Sequence, residues 1–373
     1  MKFIVSTNDL LKQLDTVDGV IVSKPLIPIL ENFLFKIEGN ELHIATTDLE
    51  TFMTTSVQVE SDGNILVAVP ARVAMETLKA LPTQPVTFSI DKKSNLVEIN
   101  TGSGRYKITG QDGKEFPKLP DHEADNSISI PSNVLLKALN KTVFATGTDE
   151  LRLNLTGVYC EVTEKALSFV ATDANRLVKY TRNDIKPGFT ANFILPKKAL
   201  NLLKNSLPND DTAVKMDLNK SYAFFSFGKV SLMCRLIDER YPDYNAVIPT
   251  ENPNKLSLHR QDFMSSLKRT SIYSNKTTHQ IRMKVAGSEL NISAEDFDFA
   301  NEANERLSCN YEGEDIEIGF NARYLGEMIA AIDTEDVKME MSIPSRAGII
   351  MPTSNDAGED LMMLIMPMML NNN

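Results

Sequence analysis

The chain has no tryptophan and only three cysteines, which do not cluster. Cys160, Cys234 and Cys309 are odd in number and lie far apart, and no CxxC motif or Cys/His cluster occurs. This spacing supports neither a zinc site nor a disulfide framework. We therefore expect no metal, no cofactor, and buried free thiols in a reducing compartment.

Long apolar runs and targeting signals are also lacking. The longest apolar run, residues 361–370, is about half the length that a membrane span needs. The N-terminal MKFIVSTNDLL has neither the basic region nor the apolar core of a secretory signal. We expect a soluble, cytoplasmic protein with no membrane partner.

Signatures of catalysis are absent from the sequence as well. It contains no GxxxxGK[ST], no GxGxxG after a strand, no GxSxG and no HExxH. The most suggestive polar cluster is Ala171-Thr-Asp-Ala-Asn-Arg-Leu177. Because Asp and Asn favour turns, this segment is predicted to be a turn at a strand end. We expect no catalytic residues.

The formal charge of −11 does not suggest a nucleic-acid binder, because neutralisation of phosphates dominates such affinity. Net charge, however, says nothing about where the charges lie. Acidic residues concentrate in predicted strands and turns. The basic residues on predicted helices are Lys12, Arg72, Lys79, Lys137, Lys141, Lys197, Lys198, Lys204, Arg260, Lys268, Arg269 and Arg323. Single lysines often serve only to solubilise a helix, but the asymmetry predicts one positively charged helical surface.

What the sequence does have is repetition. A leucine precedes an aspartate by six residues three times, at Leu42–Asp48, Leu167–Asp173 and Leu290–Asp296. The three leucines are 125 and 123 residues apart. Units of roughly 124 residues are domain-sized, which indicates a triplicated domain rather than a solenoid. We predict domains at residues 1–122, 123–250 and 251–373.

Each unit is predicted to contain a strand, a helix and three strands, twice over. In the first unit Phe3–Val5 alternates as a strand, Ser6 is a good N-cap, and apolar residues then follow at helical spacing from Leu10 to Val17. Antiparallel strands with two helices on one face form an α+β layer architecture. The fold class is therefore predicted to be α+β, in three tandem copies.

Several segments together resemble the bacterial sliding clamp family, the beta subunit of replicative DNA polymerase III. They are MKFIVSTNDLLKQL, VPARVAMETLKALP, VATDANRLVKY, LIDERYPDYNAVIP and IMPMML. The resemblance runs from Met1 to Leu370. It implies a three-domain protomer that dimerises head to tail into a ring around double-stranded DNA, with helices lining the hole and sheets outside. It also implies a processivity factor without catalysis, binding the replicative polymerase, the clamp loader, repair polymerases and ligase through short linear peptides.

The resemblance implies three sets of site residues. The peptide pocket would be Leu155, Thr172, Arg176, Leu177, Pro242, Val247, Leu364, Met366, Pro367 and Met368. The DNA-binding residues would be Lys24, Arg72, Lys79, Arg152, Lys198 and Lys204. At the dimer interface Arg105, Tyr106 and Ile108 would meet Ile272 and Tyr273, with Glu295, Asp298, Glu302 and Glu305 facing the basic edge.

The sequence departs from the family pattern in the pocket. Ala174 and Asn175 stand where a Gly-His pair is familiar, Ala246 and Met369 stand where arginines are, and residues 371–373 add an Asn tail. Two other functions stay open: an adaptor that binds peptides without DNA, and a triplicated hydrolase or transferase with an unrecognised site. The charge asymmetry argues mildly against the adaptor.

Overall fold

The computed structural model describes residues 1–120 and 122–370, so the Asn371–Asn373 tail lies outside the described residues. Its basic module is a strand, a helix and three strands, and each repeat holds two such modules, which confirms the predicted fold class. The first repeat contains β1 (Lys2–Ser6), α1 (Thr7–Asp18), β2 (Asn32–Glu38), β3 (Glu41–Thr47), β4 (Thr51–Gln58), β5 (Glu60–Ser61), β6 (Ile65–Pro70), α2 (Ala71–Ala80), β7 (Pro85–Ile90), β8 (Leu96–Asn100), β9 (Arg105–Thr109) and β10 (Gln111–Asp112).

The other two repeats follow the same order. The second contains β11 (Asn126–Pro131), α3 (Ser132–Thr142), β12 (Gly157–Val162), β13 (Leu167–Thr172), β14 (Arg176–Arg182), β15 (Ala191–Pro196), α4 (Lys197–Ser206), β16 (Ala213–Leu218), β17 (Tyr222–Phe227) and β18 (Val230–Arg235). The third contains β19 (Asn254–His259), α5 (Arg260–Ser271), β20 (Gln280–Ala286), β21 (Glu289–Asp296), β22 (Asn301–Ser308), β23 (Asn310–Glu312), β24 (Ile316–Asn321), α6 (Ala322–Ala330), β25 (Asp336–Met341), β26 (Gly348–Pro352) and β27 (Glu359–Ile365).

The chain forms two compact units that do not coincide with the three repeats. The first is residues 1–136 with 198–236, and the second is residues 137–197 with the chain from Ile237 onward. The second repeat is divided because its strands join sheets of both neighbours. One sheet has the order β10-β6-β2-β3-β4-β18-β17-β16-β11, and another has β15-β12-β13-β14-β27-β26-β25-β19-β23. The predicted boundaries of the three domains thus stay a prediction.

Two smaller sheets complete the architecture, each within one repeat. Their orders are β5-β1-β7-β8-β9 and β22-β21-β20-β24. In the first unit α1 packs on α2 and on β3 and β4, and in the second unit α5 packs on α6 and on β19 to β22. Helix α1 buries Leu10, Leu14 and Val17, as the helical spacing predicted. None of the helices in the described ranges has the length and apolar character needed to cross a membrane.

One local prediction differs from the structure. Ser6 does precede α1, but its side chain makes no capping hydrogen bond. The helix begins directly after strand β1 of the sheet. The N–H of Thr7, its first residue, donates to the carbonyl oxygen of Gln84 at 2.9 Å. A neighbouring strand connection thus satisfies a helix-terminal donor that a side chain was expected to satisfy.

Candidate functional site

Three of the predicted pocket leucines come together in the second unit. Strand β14 pairs with β27 so that Leu177 lies opposite Leu364. Leu155, at the end of a short 3-10 turn (Leu153–Leu155), packs into the same apolar cluster. The cluster also includes Tyr241 and Tyr244, which sequence reasoning did not single out. The pair Tyr241-Pro242 does repeat the earlier Phe116-Pro117, and that recurrence was the available signal.

The leucines of the cluster are buried, so the cluster is not an open apolar pocket. The exposed residues Pro242, Val247 and Met366, which follow cluster residues in the chain, are called the apolar rim. Leu177 and Leu364 are each only 2% exposed. Val247 and Met366 are 55% and 42% exposed, and Pro242 is exposed as well. A ligand would therefore meet the rim side chains first, because the leucines are covered.

The segment after β27 is held in place by close backbone contact. The N–H of Met368 donates to the carbonyl oxygen of Gly319 at 2.8 Å. A Cβ atom at position 319 would lie 2.6 Å from the Met368 carbonyl oxygen, so this approach requires glycine. Pro367 and Met368 are half-buried in consequence.

The turn between β13 and β14 is built by its own side chains, as its Asp and Asn predicted. The hydroxyl group of Thr172 donates to the carbonyl oxygen of Arg176 at 2.6 Å. A carboxylate oxygen of Asp173 accepts from the N–H groups of Asn175 and Arg176 at 2.9 and 3.0 Å. Ala174 lies in the left-handed region with φ of 75°. This conformation accounts for the glycine that is familiar at the position.

Arg176 has a structural role in this turn, and its contact with a peptide stays a prediction. Its side chain is buried, and its three nitrogen atoms donate to Asp173 (3.1 Å), Glu327 (2.6 Å) and the carbonyl oxygen of Phe144 (2.8 Å). The guanidinium group lies 5.2 and 4.6 Å from the ring centroids of Phe144 and Tyr324. A buried guanidinium needs such partners, and here they join the turn to α6.

A polar groove of about 680 Å³ adjoins the apolar cluster, with which it shares Leu155. Leu155 and Arg176 form part of its wall. Most of its other lining residues were not predicted from the sequence, and they include Thr146, Asp149, Asn175, Asn321, Arg323 and Tyr324. They come from loops and from α6, so no local pattern brings them together. The combined site offers apolar side chains beside hydrogen-bonding groups, which suits a short peptide.

The predicted DNA-binding residues differ in their ion pairs. Lys198 binds Asp48 at 2.5 Å and the carbonyl oxygen of Val20 at 2.9 Å. The pairs Arg72–Glu76, Lys79–Asp15 and Arg152–Asp149 are 3.0, 3.1 and 2.9 Å long. Over residues 1–120 and 122–370, neither Lys24 nor Lys204 forms an ion pair. DNA contact by these six residues stays a prediction.

Two other helix lysines are not part of a free basic surface. Lys141 is only 5% exposed, and its ammonium group binds Asp333 and the carbonyl oxygen of Ala331, both at 2.8 Å. Burial tends to lower the pKa of Lys137, but its hydrogen bonds to Asp356 and Glu359 outweigh this effect and raise the pKa above its usual value. The expectation that all helix lysines share one exposed surface is thus wrong for these two.

The predicted interface residues lie on or near two edge strands, β9 and β22. Tyr106, Ile272 and Tyr273 are 38%, 62% and 43% exposed. Ile108 is only 5% exposed, because it faces the core of its own repeat, and its contact with Ile272 stays a prediction. Arg105 pairs with Glu98 of the neighbouring strand β8.

The acidic residues near β22 differ in their ion pairs and hydrogen bonds. Glu305 forms a 2.5 Å ion pair with Arg269 of its own repeat, and Asp298 accepts a 3.3 Å hydrogen bond from Asn275. Phe297 and Phe299, which sequence reasoning missed, are both 72% exposed in the loop before β22. Two aromatic residues alternate with acidic ones directly after the repeated aspartate Asp296. This pattern was the available sequence signal for exposed aromatic side chains.

Three α+β repeats whose strands pair from one repeat to the next define the class of DNA clamp proteins. Family models match the whole architecture: the N-terminal domain of the DNA polymerase III beta subunit over residues 1–120, the central domain over 129–243 and the C-terminal domain over 245–369. The chain belongs to the DNA polymerase III beta subunit family, and its function is that of a DNA sliding clamp. Such clamps are non-enzymatic processivity factors.

Relatives agree over their full length. The beta sliding clamp of Pseudomonas putida is 28% identical over 99% of this chain and 100% of its own. A crystal structure of the Pseudomonas aeruginosa sliding clamp bound to griselimycin is 28% identical, with a TM-score of 0.93 over 99% of this chain and 100% of that one. The Thermotoga maritima beta subunit is 26% identical, with a TM-score of 0.90 and 99% of each chain covered.

Proposed function

We propose that two copies of this chain pair head to tail into a closed ring around duplex DNA. The ring serves the replicative polymerase in the cytoplasm and has no catalytic activity of its own. The observation that carries the proposal is a pair of sheet edges: among the described residues, β9 and β22 each have a neighbouring strand on one side only. An unpaired edge is a template for another chain, and a head-to-tail contact whose rotation closes forms a ring.

The two strand pairs that join neighbouring repeats have one common register. In the first unit Leu232 of β18 lies opposite Met53 of β4. In the second unit Met363 of β27 lies opposite Val178 of β14. Leu232 and Met363 are equivalent because successive strand pairs relate them to the third residues of β11 and β19. Met53 and Val178 are equivalent because each pairs with the residue two positions before the repeated aspartate.

The same equivalence gives the expected contact between subunits. The residue equivalent to Leu232 and Met363 in the first repeat is Tyr106 of β9. The residue equivalent to Met53 and Val178 in the third repeat is Ala303 of β22. In that register Lys107 lies opposite Glu302, a favourable cross-strand charge pair. Leu232 and Met363 are 1% and 0% exposed, whereas Tyr106 is 38% exposed. A partner strand would cover the tyrosine as neighbouring strands cover its two counterparts.

Contact with DNA is proposed to be electrostatic and distributed. Lys24 and Lys204 form no ion pair within the described residues, and Arg72, Lys79, Arg152 and Lys198 would exchange carboxylate partners for phosphates. Phosphate contacts position a protein without reading sequence. Affinity should therefore be independent of sequence and should fall steeply as salt rises.

Partner proteins are proposed to bind through short linear peptides at the apolar rim (Pro242, Val247 and Met366) and at Met368. The replicative polymerase, the clamp loader, repair polymerases and ligase would share this site. The related clamp from Pseudomonas aeruginosa, crystallised with griselimycin, supports a peptide-sized ligand. The domains are proposed at residues 1–122, 123–250 and 251–373, one for each repeat.

Retention on closed circular duplex DNA tests the ring. The clamp is loaded onto nicked circular DNA with a clamp loader and separated from free protein by gel filtration. We expect the clamp to stay with circular DNA and to leave after the DNA is linearised, because the link is topological. Tyr106→Asp should give monomers that are not retained. Equal retention on circular and linear DNA would contradict the ring.

A further inference from the structure

We infer that the loop between β21 and β22, residues 297–300, is an aromatic anchor for a second copy of this chain. The anchor rests on the proposed ring and adds a contact to it. Phe297 and Phe299 of this loop are among the most exposed large apolar side chains of the described chain, each at 72%. Exposed aromatic side chains beside an unpaired edge strand point to a protein interface.

The loop is longer than its counterparts in the other repeats. Between the shared aspartate and the next strand it has four residues, 297–300, whereas the equivalent turns have two, 49–50 and 174–175. The longer loop contains both phenylalanines. The third repeat therefore presents apolar surface at a place where the others present a tight polar turn.

Each counterpart turn contacts the repeat that follows it. In the first unit Asp48 pairs with Lys198, the second residue of α4, at 2.5 Å. The carbonyl oxygen of Glu50 also accepts from the N–H of Arg235 at 2.8 Å. The turn thus lies between the start of the second helix and the end of the last strand of the following repeat.

The second unit repeats this arrangement. The carbonyl oxygen of Asn175 accepts from the N–H of Met366 at 2.8 Å. Arg176 reaches α6 through Glu327 and the ring of Tyr324. No repeat follows the loop of the third repeat within the described residues, and in the proposed ring the equivalent place belongs to the first repeat of a second copy.

The matching surface of that second copy is the start of α2. Val73 is 48% exposed, whereas its equivalent in α4, Ala199, is fully buried. We place Phe297 and Phe299 against Val73 of the partner subunit, with the N–H of Thr109 of the partner subunit donating to the carbonyl oxygen of Ala300. The apolar surfaces left exposed on both sides would then cover each other.

Charge at the same place is complementary. Asp296 is the counterpart of Asp48, is only 2% exposed and forms no ion pair within the described residues. A carboxylate oxygen of Asp296 accepts a hydrogen bond from the backbone N–H of Asp298 at 3.2 Å. Arg72 of the partner subunit is the counterpart of Lys198, and it would approach Asp296 as Lys198 approaches Asp48. A buried carboxylate needs a cationic or hydrogen-bonding partner, and the guanidinium group would supply one.

A single tryptophan reports on the anchor directly, because the chain has none of its own. Phe299→Trp should emit at short wavelength in the dimer and shift to longer wavelength when dilution dissociates the ring. Leu151→Trp is the control, since Leu151 is 95% exposed and lies outside the proposed interface. Its emission should not change on dilution. The same water-exposed emission from Phe299→Trp in dimer and monomer would overturn the anchor.

Loss of the aromatic side chains provides the second test. The variant Phe297→Ser with Phe299→Ser should raise the dimer dissociation constant about tenfold or more, because each phenylalanine loses its apolar burial. Leu26→Ser with Leu151→Ser is the matched control and should leave dissociation unchanged. When the loop variant is combined with Val73→Ser, the loss of dimerisation free energy should be smaller than the sum of the losses from the two separate variants.

Tyr106→Asp separates failure of the anchor from failure of the ring. If Tyr106→Asp gives monomers while the loop variant dissociates like the unmodified chain, the ring stands and the anchor is wrong. If both variants remain dimers at the lowest measurable concentration, the proposed pairing of β9 with β22 is itself wrong.

Discussion

The backbone N–H of Met366 donates a 2.8 Å hydrogen bond to the carbonyl oxygen of Asn175. This bond ties the end of β27 to the turn that precedes β14, and it places an exposed methionine beside the polar groove. The same bond joins Arg235 to Glu50 in the first unit. The same backbone hydrogen bond therefore occurs at the candidate peptide site and at the junction of the first two repeats. Its equivalent is also part of the proposed contact that closes the ring.

Ala174→Gly should stabilise the protein by about 1 kcal/mol. Ala174 has a φ of 75°, where a side chain costs roughly 1–2 kcal/mol that glycine avoids, less the greater entropy of glycine in the unfolded chain. Urea unfolding would measure the change. Ala191→Gly, within β15 and without a positive φ, is the control and should destabilise. A loss of stability from Ala174→Gly would contradict the strain argument.

Arg176→Ala should destabilise the second unit by about 3–5 kcal/mol, since it leaves the partners of a buried ion pair unpaired. The change is measured by the shift of the urea midpoint monitored on that unit. Arg235→Ala is the control, because Arg235 is exposed and its ion pair with Glu50 is exposed as well. It should have no measurable effect on stability. Equal effects of the two variants would contradict a structural role for Arg176.

Met366→Ala should weaken binding of a polymerase-derived peptide with leucine and phenylalanine near its end by about tenfold. The methionine contributes apolar surface to the rim, and a few such contacts carry most of the affinity. Titration calorimetry gives the affinity, while melting temperature and dimer mass should not change. Leu26→Ala, at a fully exposed residue of the first unit, is the control. Unchanged affinity in Met366→Ala would mean that the peptide binds elsewhere.

Exchanging Lys107 and Glu302 tests the register of the subunit contact. Lys107→Glu and Glu302→Lys should each weaken dimerisation several-fold, because like charges would then face each other. The double variant should recover most of the loss. Lys92→Glu, at an exposed lysine in the turn before β8, is the control. Sedimentation at two salt concentrations would measure the effect, and additive losses in the double variant would exclude this pairing.

The sequence predicted the elements of the repeat well. The strand over Phe3–Val5 and the helix over Leu10–Val17 lie within β1 and α1, as alternation and apolar spacing indicated. The aspartate turn at Asp173 and the apolar face of α1 also agree. These features depend on residues close together in the chain, so a single sequence contains the pattern that forms them.

Other features were decided only by the tertiary structure. The chain itself determined that a triplicated α+β clamp would form, because periodicity and turns are local properties. It did not determine that Arg176 and Lys141 would be buried in ion pairs, or that Ile108 would face its own core. Their surroundings come from residues far away in the chain: Glu327 lies 151 positions from Arg176, and Asp333 lies 192 positions from Lys141. Burial and ion pairing depend on which distant strands and helices meet, and only the folded sheets bring those partners together.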